Sequence, residues 1–120
     1  MAILRQWLLI LSALVLGGGQ VLAASPRETR AYAAAVSTFN TGMWNLAETD
    51  FSQFVQNYPS STNAPMAVLL EAQSQIKQKK FSGAVKLLHD REPMAGRLAD
   101  QYDFWMAEAQ FQNGDFAAAA

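Results

Sequence analysis

The sequence predicts an all-α, right-handed array of antiparallel helical hairpins preceded by a signal-peptide helix. Three observations carry that expectation. Apolar residues after position 25 recur at spacings of three and four, the α period. A set of alanines and bulky side chains returns at intervals of 37 and 35 residues. Sixteen of the first 23 residues are apolar, which sets the N-terminus apart from the rest of the chain. At 120 residues there is length for one domain beyond that segment.

The opening segment has the layout of a secretory signal. Arg5 supplies the positive start, Trp7 to Leu16 an apolar run broken by Ser12, and Val21-Leu22-Ala23 small residues at cleavage spacing. The rival reading is a retained membrane anchor, but a span needs about 20 consecutive apolar residues, and Gly17 to Gly19 interrupt this run. The expectation is a signal peptide over residues 1–23, a periplasmic or envelope destination, and inner-membrane association only where the segment is retained. With no cysteine, the chain forms no disulfide, no thiolate metal site and no lipidated cysteine.

The first helix begins at once. Ser25-Pro26-Arg27-Glu28 is a capping box with proline at the first helical position. Tyr32, Ala35, Val36 and Phe39 then share one side, and Gly42 ends the element. Asn45 with Glu48 is expected to open the second helix, whose Ala47, Phe51, Phe54, Val55 and Tyr58 again recur at three and four until Pro59 stops it. Shifted by 37, Phe39, Trp44, Ala47 and Phe51 fall on Ile76, Phe81, Ala84 and Leu88, and a further 35 brings the first three to Phe111, Phe116 and Ala119. Ala35, Ala72 and Ala107 keep register, as do Tyr32, Leu69 and Phe104. Small alanines let two antiparallel helices approach closely while the rings wedge between them, because neither helix buries its apolar side alone. The copies run over about 26–61, 62–97 and 98–120, the last unfinished, so the repeat domain is 26–120. His89 to Gly96 is expected to be a shortened helix end and a loop before a helix from about Leu98 to Asn113.

The pattern Gly42-x-Trp44-x-x-Ala47-x-x-x-Phe51 and Gly114-x-Phe116-x-x-Ala119, with the upstream alanines and Pro59, resembles the tetratricopeptide repeat (TPR). Within that superfamily, Phe51-x-x-Phe54-Val55-x-x-Tyr58-Pro59 and the Ser61 to Ala67 linker are similar to repeats of exported envelope proteins, including the Tol-Pal-associated coordinator and outer-membrane assembly lipoproteins. Two departures stand out: there is no lipidation cysteine, and Lys79 stands where the hairpin glycine falls in the other copies. The resemblance implies a solenoid whose first helices line a concave face that holds a protein or peptide. Carried onto this chain, that face comprises Thr29, Val36 and Asn40 in copy one, Gln73 and Lys77 in copy two, and Glu108 and Gln112 in copy three. The set is polar and mixed in sign, unlike a clamp for a C-terminal carboxylate, which is built from several Lys, Arg and Asn.

Chemistry has few candidates. His89 is the sole histidine, and with Asp90 and Glu92 it falls short of a converging metal set. Asp100, Asp103 and Glu108 make a solvated helical edge, with nothing to raise a carboxyl pKa. Lys77, Lys79, Lys80 and Lys86 cluster at a hairpin tip. Nine basic against ten acidic residues leave a net charge of −1 and no basic excess for nucleic acid. No catalytic residue, cofactor or metal is expected. The function expected is a non-catalytic adaptor or scaffold in the cell envelope; the alternatives are self-association through the C-terminal half-repeat and an N-terminal fragment of a longer TPR protein.

Overall fold

Five α-helices and two short turns of 3₁₀ helix make up most of residues 24–115, the stretch that the computed structural model of this chain describes. The helices are α1 (Pro26–Asn40), α2 (Trp44–Asn57), α3 (Ala64–Lys77), α4 (Phe81–Arg91) and α5 (Ala99–Gln112). The expected signal peptide and the residues Phe116 and Ala119 lie outside the described residues.

Helix starts and stops follow local chemistry. Ser25 caps α1, its hydroxyl accepting from the Glu28 amide at 3.1 Å, with Pro26 at the first position. Helix α1 closes at Gly42, which adopts φ +77°, a left-handed conformation that costs a side-chain-bearing residue energy. Helix α2 opens at Trp44, two residues earlier than the Asn45 cap predicted, and Met43 precedes it without a side-chain cap. The Glu48 carboxylate does not turn back to an Asn45 amide; it is engaged by donors from α3 and the following turn, which outcompete a local capping bond. Beyond α4, Glu92–Met94 and Gly96–Leu98 form single 3₁₀ turns where the sequence suggested a loop, and α5 starts at Ala99 and ends at Gln112.

Packing proceeds along the chain, α1 on α2, α2 on α3, α3 on α4 and α4 on α5. Helix α3 also touches α1 and α5, so the first helices of successive pairs are neighbours. Ala35 and Ala47 in the first pair and Ala72 and Ala84 in the second are all fully buried. Without side chains beyond Cβ, these positions let packed backbones come close. Rings fill the space beside them. Tyr32 contacts Phe51 and Phe54, and Phe39 meets Trp44 edge-on at 5.1 Å and Phe51 at 6.3 Å. Burying a side chain such as Phe51 contributes about 2–3 kcal/mol. Hydrogen bonds also tie one helix to another: Thr38 donates to Asp50 at 3.1 Å, and the buried Tyr102 hydroxyl donates to the Pro65 carbonyl at 2.6 Å.

The recurring positions differ in one respect. Leu69 is buried and Tyr32 half-buried, whereas Phe104 is 60% exposed and Phe111 55%. In copy one the second helix of the pair supplies Phe51 and Phe54 to cover Tyr32. The second hairpin turn survives the loss of its glycine, with Lys79 held at φ +62° where Gly42 and Gly114 stand at +77° and +85°.

Candidate functional site

The first helices carry the residues assigned to a concave face, and their exposure is uneven. Thr29 and Asn40 are exposed at the two ends of α1, and Val36 packs against the core. Glu108 is half-buried and accepts from the Gln112 amide at 2.9 Å, an i,i+4 pair. Gln73, Lys77 and Gln112 converge. Together with Ile76, Lys79, Phe81 and Trp105 they line a pocket of about 240 Å³ between α3 and α5. Thr29, Val36, Asn40 and Glu108 do not line it.

The pocket's chemistry comes from side chains that helix geometry places there. Gln73 and Lys77 are four residues apart on α3, hence on one face, and Gln112 closes the far side from the end of α5. Trp105, Phe81 and Ile76 give it apolar surface. The Lys77 ammonium lies 5.7 Å from the centre of the Trp44 ring at the start of α2, a cation–π arrangement. Amide donors and acceptors, two exposed lysines and an indole ring make up its lining, and among the described residues no nucleophile and base converge on this pocket.

A polar knot lies deeper, between the first and second pairs. Glu48 accepts from Gln78 at 2.9 Å and Lys80 at 2.9 Å on one oxygen and from Gln75 at 3.2 Å on the other. Burial pushes its carboxyl up, but the bonds from Lys80, Gln78 and Gln75 outweigh that and hold it below its ordinary value. Glu71, 9% exposed in mid-α3, goes the other way: burial, reinforced by the Glu48 charge and opposed by Arg91, pushes it up to about 7. Sequence reasoning missed both roles, because the residues that surround each carboxyl stand on other elements, far along the chain from it. Register held one signal, since Ala34, Glu71 and Met106 occupy one position of the three copies and a carboxyl there breaks an apolar pattern.

The other candidates are exposed. His89 Nδ1 lies 3.5 Å from Asp90, whose carboxylate also receives the Lys86 ammonium; these bonds, Lys86 first, hold Asp90 below its ordinary value. Asp100 and Asp103 are exposed on α5. Among the described residues no group of three or more His, Cys, Asp or Glu converges to hold a metal, and no helix is long and apolar enough to cross a membrane. Of the four lysines, Lys80 is spent on Glu48 and Lys86 on Asp90, which leaves Lys77 and Lys79 at the pocket.

These features define a class, an array of helical hairpins with a polar pocket between successive first helices. Comparison with known families agrees: residues 31–61, covering most of α1 and all of α2, match the family described as tetratricopeptide repeat. No curated protein and no solved structure matches the chain.

Proposed function

We propose that this chain is a non-catalytic adaptor that binds a protein or peptide partner through the face lined by Gln73, Lys77, Trp105 and Gln112. The observation that carries the reading is the convergence of side chains from two successive first helices on one pocket outside the core. Helical-hairpin repeats similar to residues 31–61 serve protein–protein interaction, and the right-handed stacking expected of them makes this face concave. Site-specific photo-crosslinking tests it. A photoreactive phenylalanine at Gln73 or Gln112 captures a discrete partner from cells that express the full chain, and the same group at exposed Asn57 does not. Equal capture at all three positions, or none at the first two, defeats the reading.

The setting proposed is the cell envelope, on the strength of residues 1–23. N-terminal sequencing of the exported chain returns Ala24 or a near neighbour; an intact Met1 on a membrane-associated product supports the anchored alternative. A second reading, self-association, rests on the exposed Phe104 and Phe111 of α5. Sedimentation equilibrium separates the two, since Phe104→Glu dissolves a homo-oligomer and leaves a monomeric adaptor unchanged.

A further inference from the structure

Glu71 sits in mid-α3 at the register position where the other copies carry Ala34 and Met106, so an ionisable group stands where its counterparts have none. The side chain is 9% exposed, and no described group donates a hydrogen bond to its carboxyl. Its oxygens keep a little contact with solvent, since the only buried side-chain atom left without a partner among the described residues is Gln75 Oε1, so the carboxyl is open to a donor from outside. Glu71 lines a cavity of about 320 Å³ whose other walls come from α2: Glu48, Thr49, Ser52, Gln53 and Gln56. The oxygens of Glu48 are already committed to Gln75, Gln78 and Lys80. Arg91, exposed at the end of α4, acts on Glu71 through its field without forming a hydrogen bond. The cavity therefore contains one uncommitted carboxyl, a second carboxylate behind it, and a rim of hydroxyl and carboxamide oxygens.

That composition selects its occupant. Two carboxylates are too few for a metal cage. A positive group with several N–H donors meets the unpartnered carboxyl and uses the rim oxygens as well. A guanidinium does this best, because its five donors lie in a planar fork matched to a carboxylate, whereas an ammonium offers three from a point.

We propose that the cavity between α2 and α3 is a docking pocket for an arginine side chain of a partner polypeptide, with the Glu71 carboxylate as its pairing group. The site shares no residue with the Gln73–Lys77–Gln112 pocket and goes beyond the adaptor reading, giving the chain a second, charge-selective grip.

The test is an NMR titration of the full chain with ethylguanidinium at about pH 8, where Glu71 is mostly ionised. The result expected is saturable shifts at the Glu71 carboxyl carbon and the Ser52, Gln53 and Gln56 amides, with tetramethylammonium and calcium roughly tenfold weaker or more. A blocked Gly-Arg-Gly peptide shifts the same signals and its Gly-Lys-Gly counterpart does so more weakly. Glu71→Gln, the neutral isostere, abolishes the response while keeping the amide spectrum of the fold. Shifts that persist in Glu71→Gln, calcium as effective as ethylguanidinium, or no saturable shift each overturn the proposal. Capture at Gln73 is read independently, so either site can fail while the other stands.

Discussion

Replacing Glu71 with glutamine changes the pH dependence of stability in a direction set by the burial of its carboxyl. The Glu71 carboxyl is raised from 4.5 to about 7, first by burial and then by the Glu48 charge, with Arg91 opposing. An acid whose folded-state value is raised favours folding most below its unfolded value and loses that advantage as pH rises toward the folded one. Between about pH 4.5 and 7 the unfolded chain gives up this proton first, so wild-type stability falls across the window. At about 1.4 kcal/mol per pH unit the full loss is about 3 kcal/mol. The carboxamide of the variant cannot ionise and is spared it. Urea unfolding of both proteins from about pH 4 to pH 8.5 checks this: their stability difference should shift by about 3 kcal/mol in favour of Glu71→Gln over that span. A difference that stays constant with pH would show that Glu71 ionises in the folded chain as freely as in the unfolded one, and the account of its burial would be wrong.

Other substitutions probe the frame. Lys79→Gly should stabilise the chain by about 1 kcal/mol in thermal or urea unfolding, since Lys79 holds φ +62° where a Cβ is penalised. Gly42→Ala, at φ +77°, should destabilise by about the same amount. Phe51→Ala empties the junction of Tyr32, Phe39 and Phe51 and should cost about 3–5 kcal/mol, read from the urea midpoint. Tyr102→Phe removes the donor to the Pro65 carbonyl and should cost about 1–2 kcal/mol, with the Tyr102 hydroxyl signal lost from the NMR spectrum.

What could be read in the sequence was what short-range chemistry controls. Ser25-Pro26 marks the start of α1, Pro59 the end of α2, and Ala35, Ala47, Ala72 and Ala84 recur because each sits where packed backbones meet. The start of α2 falls two residues from its expected place because Asn45 and Glu48 look like a capping box from within their own segment, while the donors that claim Glu48 come from Gln75, Gln78 and Lys80. The same distance hid Glu71. Its burial is a property of α2 and α3 together, and a single helix shows it only as a charge among apolar neighbours. Of the seven residues placed on the concave face, Gln73, Lys77 and Gln112 meet at one pocket. Val36 carries the same register but packs on the core, and Thr29 and Asn40 lie at the ends of the first helix, where no earlier pair among the described residues builds an opposing wall.

Titration of the cross-linked partner against the full chain, compared with two charge reversals, bears on the adaptor account most directly. Lys77→Glu should weaken binding about tenfold or more while Arg30→Glu, exposed on α1, leaves it within about twofold, both proteins melting as wild type does. Binding that ignores Lys77→Glu, or that suffers equally from either reversal, would mean that the pocket between α3 and α5 is not where this protein meets its partner.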